Sequence, residues 1–229
     1  MFPFFKGKDP KWNKKLIRVV DSNIDNLLEE KDEEKLYDIR NSMMYALDIV
    51  DTKLFDKSLA DNQIMAEINK WYQKSPSAEK QGEHAVIQIY KSGFYTSYIG
   101  YKAAGILNKY RKDIDLLIGI PKGAIPFTIS TFLHTNIPIG LVYPEKGEIC
   151  PYGVHEEGWE NAVLLDEFIK TGETMLNSSR ILSKGVKFPN NGKIKKYEID
   201  MALVILEEGN EAKDKLKEEG VKLKSIFRV

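Results

Sequence analysis

Residues 161–174 read NAVLLDEFIKTGET, and the reading of that stretch decides the fold. Ala162 to Leu165 is an unbroken apolar run of the kind buried on both faces of a parallel sheet. Asp166 and Glu167 end the run, and a loop follows with Lys170, Thr171, Gly172 and Thr174. The next segment, MLNSSRILSK, has helical character and stops at Gly185, which suits a left-handed C-terminal cap. The order is strand, acidic pair, hydroxyl- and glycine-bearing loop, helix.

That order has a chemical use. Backbone N–H groups of a tight loop that opens a helix form a cradle for an anion, and the helix dipole adds to it. Thr171 and Thr174 can donate hydroxyl hydrogen bonds, and Gly172 lets a phosphate approach the backbone. The carboxylates of Asp166 and Glu167 can accept hydrogen bonds from a vicinal diol, or contact a metal ion or its bound waters. A sugar phosphate with free hydroxyls satisfies both halves. An ordinary capped strand–loop–helix turn remains the plain alternative, because spacing alone does not separate the two.

Working outward, the same strand–helix alternation recurs. Ile114 to Ile120 (IDLLIGI), Ile137 to Tyr143 (IPIGLVY), Ile199 to Leu206 (IDMALVIL) and Leu223 to Val229 (LKSIFRV) read as four more strands. A helix over Asn210 to Glu219 lies between the last two and is followed by Gly220. Alternating strands and helices imply right-handed crossovers and a parallel sheet, with ligands at the carboxyl ends of the strands. The predicted class is α/β: a five-stranded parallel sheet flanked by helices, with an N-terminal helical appendage. The loop Pro121-Lys122-Gly123-Ala124 then opens on the same edge as Asp166 and Thr171. A lysine and exposed N–H groups there suit a pyrophosphate, although solvated loop lysines are common.

Residues 1–80 carry no chemistry in their sequence. Asp9-Pro10 starts a helix that continues to about Leu28. A second helix is predicted from Glu33 to about Leu54 and a third over roughly Leu59 to Gln73, with Ile64, Met65, Ile68 and Trp71 as core residues. Ser75 to Glu83 is the linker candidate, so the domains divide as 1–80 and 81–229. His84 to Tyr90 (HAVIQIY) alternates as a strand would, and an aromatic-rich stretch with Tyr95, Tyr98 and Tyr101 follows a turn at Ser92-Gly93.

The 229 residues contain 34 Lys plus Arg and 34 Asp plus Glu, so net charge offers no argument for nucleic acid or a membrane surface. The lone Cys150 excludes an internal disulfide and a cysteine zinc site, and His84, His134 and His155 lack metal-ligand spacing. A reducing cytoplasm fits this usage, and the apolar start MFPFF is too short for a signal peptide or a span.

The stretch LLDEFIKTGET resembles the phosphoribosyl pyrophosphate motif of type I phosphoribosyltransferases: apolar strand, acidic pair, then Thr-Gly-x-Thr. Over residues 84–229 the chain is most similar to orotate phosphoribosyltransferases, with GIPKGAIP matching their pyrophosphate loop, the 84–101 stretch loosely like their hood, and the Glu-Gly loop and Ser-x-Phe strand like their closing segment. The resemblance implies transfer of the phosphoribosyl group of phosphoribosyl pyrophosphate to a nucleobase, with release of pyrophosphate. Asp166 and Glu167 would hold the ribose diol, and Lys170, Thr171, Gly172, Glu173 and Thr174 the ribose phosphate. Lys122, Gly123 and Ala124 would face the pyrophosphate. Mg2+ would be held mainly by substrate, with no protein ligand assigned, and a homodimer is expected.

Three departures bear on the base and on turnover. Where orotate phosphoribosyltransferases have an Asp-Arg pair, the arginine contacting the orotate carboxylate, this chain has Ile205 and Leu206. An apolar side chain cannot replace a guanidinium fork, which argues against orotate. The loop YPEKGEICPYGVHEEG is acidic and leaves Lys146, with His155, as its cationic candidates for catalysis. Glu173 beside a phosphate is repulsive unless it points away. The alternative reading is a non-catalytic sensor of phosphoribosyl pyrophosphate or a nucleotide.

Overall fold

The computed structural model describes residues 57–75, 81–121, 123–143, 148–152, 158–187 and 192–229. The two helices expected before residue 55 lie outside these residues, as do Lys122, Lys146 and His155. Two compact units divide the chain, Met1–Ala60 and Asp61–Val229, and all the contacts described below are within the second.

The elements run α1 (Lys57–Gln73), α2 (Gln81–Ile89), α3 (Gly93–Leu107), a 3-10 turn (Asn108–Asp113), β1 (Leu116–Gly119), α4 (Ala124–Thr135), β2 (Ile139–Tyr143) and β3 (Glu148–Tyr152). They continue with β4 (Asn161–Ile169), α5 (Glu173–Lys184), β5 (Val186–Lys187), β6 (Ile194–Lys195), β7 (Glu198–Glu207), α6 (Glu211–Glu218) and β8 (Lys222–Arg228). All pair in one sheet of order β6-β5-β3-β2-β1-β4-β7-β8. The segment β2-β1-β4-β7-β8 is parallel throughout and contains the five strands read from the sequence. Beyond it, β3 lies antiparallel on β2, and the two-residue β5 and β6 extend that edge.

From β1 the chain moves one way, through α4 to β2, and later the other way, from β4 through α5 to β7 and through α6 to β8. Right-handed crossovers therefore put α4 on one face and α5 and α6 on the other. The core under α5 and α6 joins Leu116, Ile118 and Leu164 to Met175, Leu176 and Leu182 of α5 and to Ala212 and Leu216 of α6, all buried. The direction reverses between β1 and β4, and the crevice outside the carboxyl ends of those two strands is where such sheets bind ligands.

Two sequence expectations are corrected. His84 to Tyr90 is not a strand: α2 covers Gln81–Ile89 and buries Ala85, Val86 and Ile89. Those three positions fit a helical period as well as Ala85, Ile87 and Ile89 fit a pleat, and in a run this short the helix wins by packing. Gln81 to Glu83 belong to the same helix rather than to a linker. The Ser92-Gly93 turn opens α3, with the Ser92 hydroxyl accepting from the Tyr95 N–H at 3.3 Å, so Tyr95, Tyr98 and Tyr101 are helical. The helix expected over residues 59–73 is present as α1, with Ile64 and Ile68 buried.

At the far end of the sheet, Glu207 closes β7 onto β8. Its side chain, buried in the structure, accepts from Arg228 at 2.5 and 2.8 Å and from the Ser225 hydroxyl at 2.6 Å. Burial raises its pKa, but the Arg228 and Ser225 hydrogen bonds outweigh that and leave it lowered. A carboxylate with a lowered folded pKa contributes stability above its unfolded pKa, and loses it as pH falls through the folded value. Arg228→Met leaves the buried charge half-satisfied and is expected to cost about 2 kcal/mol at pH 7, the exposed guanidinium moderating the loss. Urea unfolding at pH 7 and pH 3 checks this: the gap to wild type should shrink at the acid end.

Candidate functional site

The end of β1 lies beside Leu165 of β4, by the parallel register Gly119↔Leu165 and the Ile120 N–H bonded to the Leu165 carbonyl at 3.0 Å. β4 runs on to Ile169 along β7, so Asp166 and Glu167, expected to end the strand, lie within it, just past the point where β1 stops. Glu167, 8% exposed, lies against the loop after β1, where a Cβ on Gly123 would sit 1.9 Å from its Oε1. A side chain at 123 would displace the Glu167 carboxyl, and with glycine there the loop backbone comes directly against it. Asp166 is adjacent and partly buried, and its Oδ1 accepts the Glu167 N–H at 2.9 Å.

Burial and a neighbouring carboxyl group both act on Asp166. Burial, then the hydrogen bond and charge of Glu167, and further the charge of Glu83, hold the Asp166 carboxyl well above the usual range, against one lowering contribution from the Glu167 N–H. The Tyr90 phenol is pushed well up by burial and by the charges of Glu167 and Asp166. Its hydroxyl and Glu167 Oε2 are buried and have no hydrogen-bond partner among the described residues. Unpaired buried acceptors and donors of this kind are costly in a closed core and useful at a site that a polar ligand completes.

The loop that follows is fixed on three sides. Gly172 has φ 80°, a left-handed conformation that glycine adopts without strain, and it packs against Ala212 at the start of α6. Glu173 points away from the loop to Lys215 of α6 at 2.7 Å, a pairing that lowers the pKa of the carboxyl. Lys170 pairs with Glu208, just after β7. The charged ends of Lys170 and Glu173 are thus committed to the β7–α6 side. Gly172 provides no side-chain cap to the twelve-residue α5, and Thr171 and Thr174 are exposed at its mouth. First-turn N–H groups without a side-chain cap favour an anion.

The structure therefore brings together Asp166, Glu167, Gly123 and the mouth of α5 with Thr171, Gly172 and Thr174. Ala124 starts α4 directly behind Gly123 and is buried. Lys122 and Lys146 are outside the described residues. Sequence reasoning missed the contribution of α2, whose Glu83 charge acts on Asp166 and which leads into Tyr90, on which the charges of both carboxyl groups act, and of Gly82, whose Cβ position is filled by the Phe168 ring of β4. Once HAVIQIY is read as a strand, nothing in it signals that role. Ile205 and Leu206, at the positions of the Asp-Arg pair, are completely buried in β7.

No protein-family model matches the chain, and no curated protein matches it. Solved structures do. UMP synthase of Leishmania donovani is 19% identical, with TM-score 0.51, over 63% of this chain and 29% of that one. Orotate phosphoribosyltransferase of Mycobacterium tuberculosis H37Rv, complexed with Fe(III) dicitrate, is 13% identical, with TM-score 0.50, over 63% of this chain and 78% of the other. The chain has the type I phosphoribosyltransferase fold, with the five parallel strands and flanking helices in place. No described helix is long and apolar enough to cross a membrane.

The carboxyl pair gives a test with a definite sign. A group whose folded pKa is raised contributes stability below its unfolded pKa, near 3.9 for Asp, and loses it as pH rises toward the folded value. Asp166→Asn removes that penalty while keeping an acceptor for the Glu167 N–H. Thermal melts should show the variant more stable at pH 7 by several degrees, at about 3 °C per kcal/mol, and level with wild type near pH 4. A variant less stable than wild type at pH 7 would contradict the electrostatic account.

Proposed function

We propose that the protein binds phosphoribosyl pyrophosphate and transfers its phosphoribosyl group to a nitrogen of a nucleobase. The observation that carries this reading is the acidic pair beside the uncapped start of α5 at the crevice where strand order reverses. In the reaction a base nitrogen forms a bond to the ribose C1 as the bond from C1 to the pyrophosphate oxygen breaks. Positive charge grows on the ring and negative charge on the leaving group.

The chain's own groups suit those needs. Asp166 and Glu167 accept hydrogen bonds from the ribose diol and lie on the side where an oxocarbenium-like ring gains charge. The α5 N–H groups with the Thr171 and Thr174 hydroxyls take the 5-phosphate, Gly172 allows its approach, and Lys170 and Glu173 brace the loop. Lys122, with the Gly123 and Ala124 backbone, faces the pyrophosphate, and Lys146 is the candidate cation for its departure. Binding geometry and preorganised charge supply the rate in chemistry of this kind.

Magnesium belongs to the same reading. The paired carboxylates offer the hard oxygens it prefers, and the ion would be held mainly by the substrate phosphates. A nucleobase as second substrate, a cytoplasmic setting and a homodimer complete the proposal. The buried Ile205 and Leu206 argue against orotate as the base. They also favour the second reading, a sensor that keeps the phosphoribosyl site and lacks a base pocket.

Calorimetric titration with phosphoribosyl pyrophosphate and magnesium, together with a pyrophosphate-release screen over nucleobases, separates these. The expectation is saturable binding and release with one particular base. Asp166→Asn combined with Thr171→Ala should weaken binding about a hundredfold, the loss of two hydrogen bonds to charged or polar ligand groups. Binding without release for any base favours the sensor. Absence of binding, or binding indifferent to the double substitution, ends the proposal.

A further inference from the structure

The sheet register makes Lys170 and Glu208 neighbours. Ile169 of β4 pairs with Glu207 of β7, and the Glu208 N–H reaches the Ile169 carbonyl at 2.9 Å. The residues one step beyond each strand therefore leave the sheet together, and their side chains meet in the Lys170–Glu208 ion pair. Glu208 has a second partner. The Tyr72 hydroxyl, in the last turn of α1, donates to its Oε2 at 2.6 Å, leaving Oε1 for Lys170. Both oxygens of one carboxylate are thus used, one toward the N-terminal helix and one toward the phosphate loop.

We propose that Tyr72 is a positioning residue for the 170–174 loop, acting through Glu208 on Lys170, so that α1 is part of the scaffold of the phosphate site. The proposal rests on the reading of that loop as a phosphate cradle. A phosphate dianion in the cradle would be repelled by an unpaired Glu208. Lys170 neutralises that charge, and Tyr72 fixes the direction from which Lys170 can do so. The Lys170 side chain is 47% exposed and the Glu208 side chain 19%, so the ion pair alone would be weakened by solvent, whereas the shared carboxylate restricts its geometry. Burial, then the hydrogen bond to Glu208, raises the Tyr72 phenol to about 12, so it remains a donor across physiological pH.

A second tie joins α1 to the opposite side of the site. The Trp71 and His84 rings meet edge-on with centroids 6.1 Å apart, which connects α1 to α2. The α2 helix carries Glu83, whose charge acts on Asp166, and leads into Tyr90, and its Gly82 seats Phe168. The last turn of α1 therefore touches Glu208, which holds Lys170 of the loop that would take the phosphate, and the α2 helix through His84. A helix serving only to cover the core would have no need of Tyr72 at a loop carboxylate.

The test uses the full chain and two readouts. Affinity for phosphoribosyl pyrophosphate with magnesium is measured by calorimetry for wild type, Tyr72→Phe, Lys170→Met and the double variant. Hydrogen–deuterium exchange of residues 170–174 is measured without ligand for wild type and Tyr72→Phe. Tyr72→Phe should weaken binding about fivefold and Lys170→Met about tenfold, the double variant being no weaker than Lys170→Met, because the two act through one carboxylate. Exchange in the loop should rise in Tyr72→Phe while exchange in β4 and β7 stays unchanged, which a general loss of stability would not produce. Multiplicative losses in the double variant, or unchanged exchange with unchanged affinity, overturn the positioning role and leave the proposed function intact. If wild type binds nothing, the proposed function fails instead, and loop exchange alone then decides whether Tyr72 holds the loop.

Discussion

The arrangement depends on keeping two carboxyl groups side by side in the last half of β4, just past the end of its neighbour β1. Placing Asp166 next to Glu167 opposes the burial that forms the rest of β4, because each pKa unit of upward shift corresponds to about 1.4 kcal/mol against the charged form. The sheet tolerates this because Leu164 and Leu165, immediately before the pair, are completely buried and held by strands on both sides. The acidic pair is a local cost carried by a well-packed strand. Such costs concentrate where a ligand relieves them.

The groups surrounding the pair follow from that constraint. Gly123 removes the side chain that would collide with Glu167, and the α4 crossover then begins at once with Ala124. On the other flank the loop before α5 cannot be held by its own side chains, since Gly172 caps nothing and Thr171 and Thr174 are exposed. It is held instead from β7 and α6, through Glu208, Ala212 and Lys215. The charged residues of the motif serve the loop's position, and its backbone and hydroxyls remain for a ligand. Glu173, which reads as repulsive in the sequence, is harmless in the fold because Lys215 takes its charge.

What the sequence made legible was what depends on local pattern. Five apolar runs of strand length with helices between them gave the parallel segment, and the order of Asp166, Glu167, Thr171 and Gly172 pointed to the candidate site. What it hid depends on pairing across distance. The pattern in HAVIQIY supports a helix and a pleat equally, and only packing of Gly82 on Phe168 chooses between them. The partners of Lys170 and Glu173 lie 38 and 42 residues along the chain, on elements whose register had to be known first. The short β3, β5 and β6 have no apolar run to announce them, being an edge addition to β2.

The buried Ile205 and Leu206 separate two properties that the motif at Asp166 would otherwise join. A phosphoribosyl site needs acceptors for a diol and donors for a phosphate, and β4, α5 and the loop before α4 supply these types at one sheet edge. Base recognition needs donors and acceptors matched to one heterocycle, and they must come from other elements. On β7 that place is apolar and closed, with Leu206 opposite Phe168 and Phe227 in the register. The groups whose charges couple to the acidic pair from the other side are Glu83 of α2 and Tyr90 just after it, both oxygen-bearing without fixed positive charge.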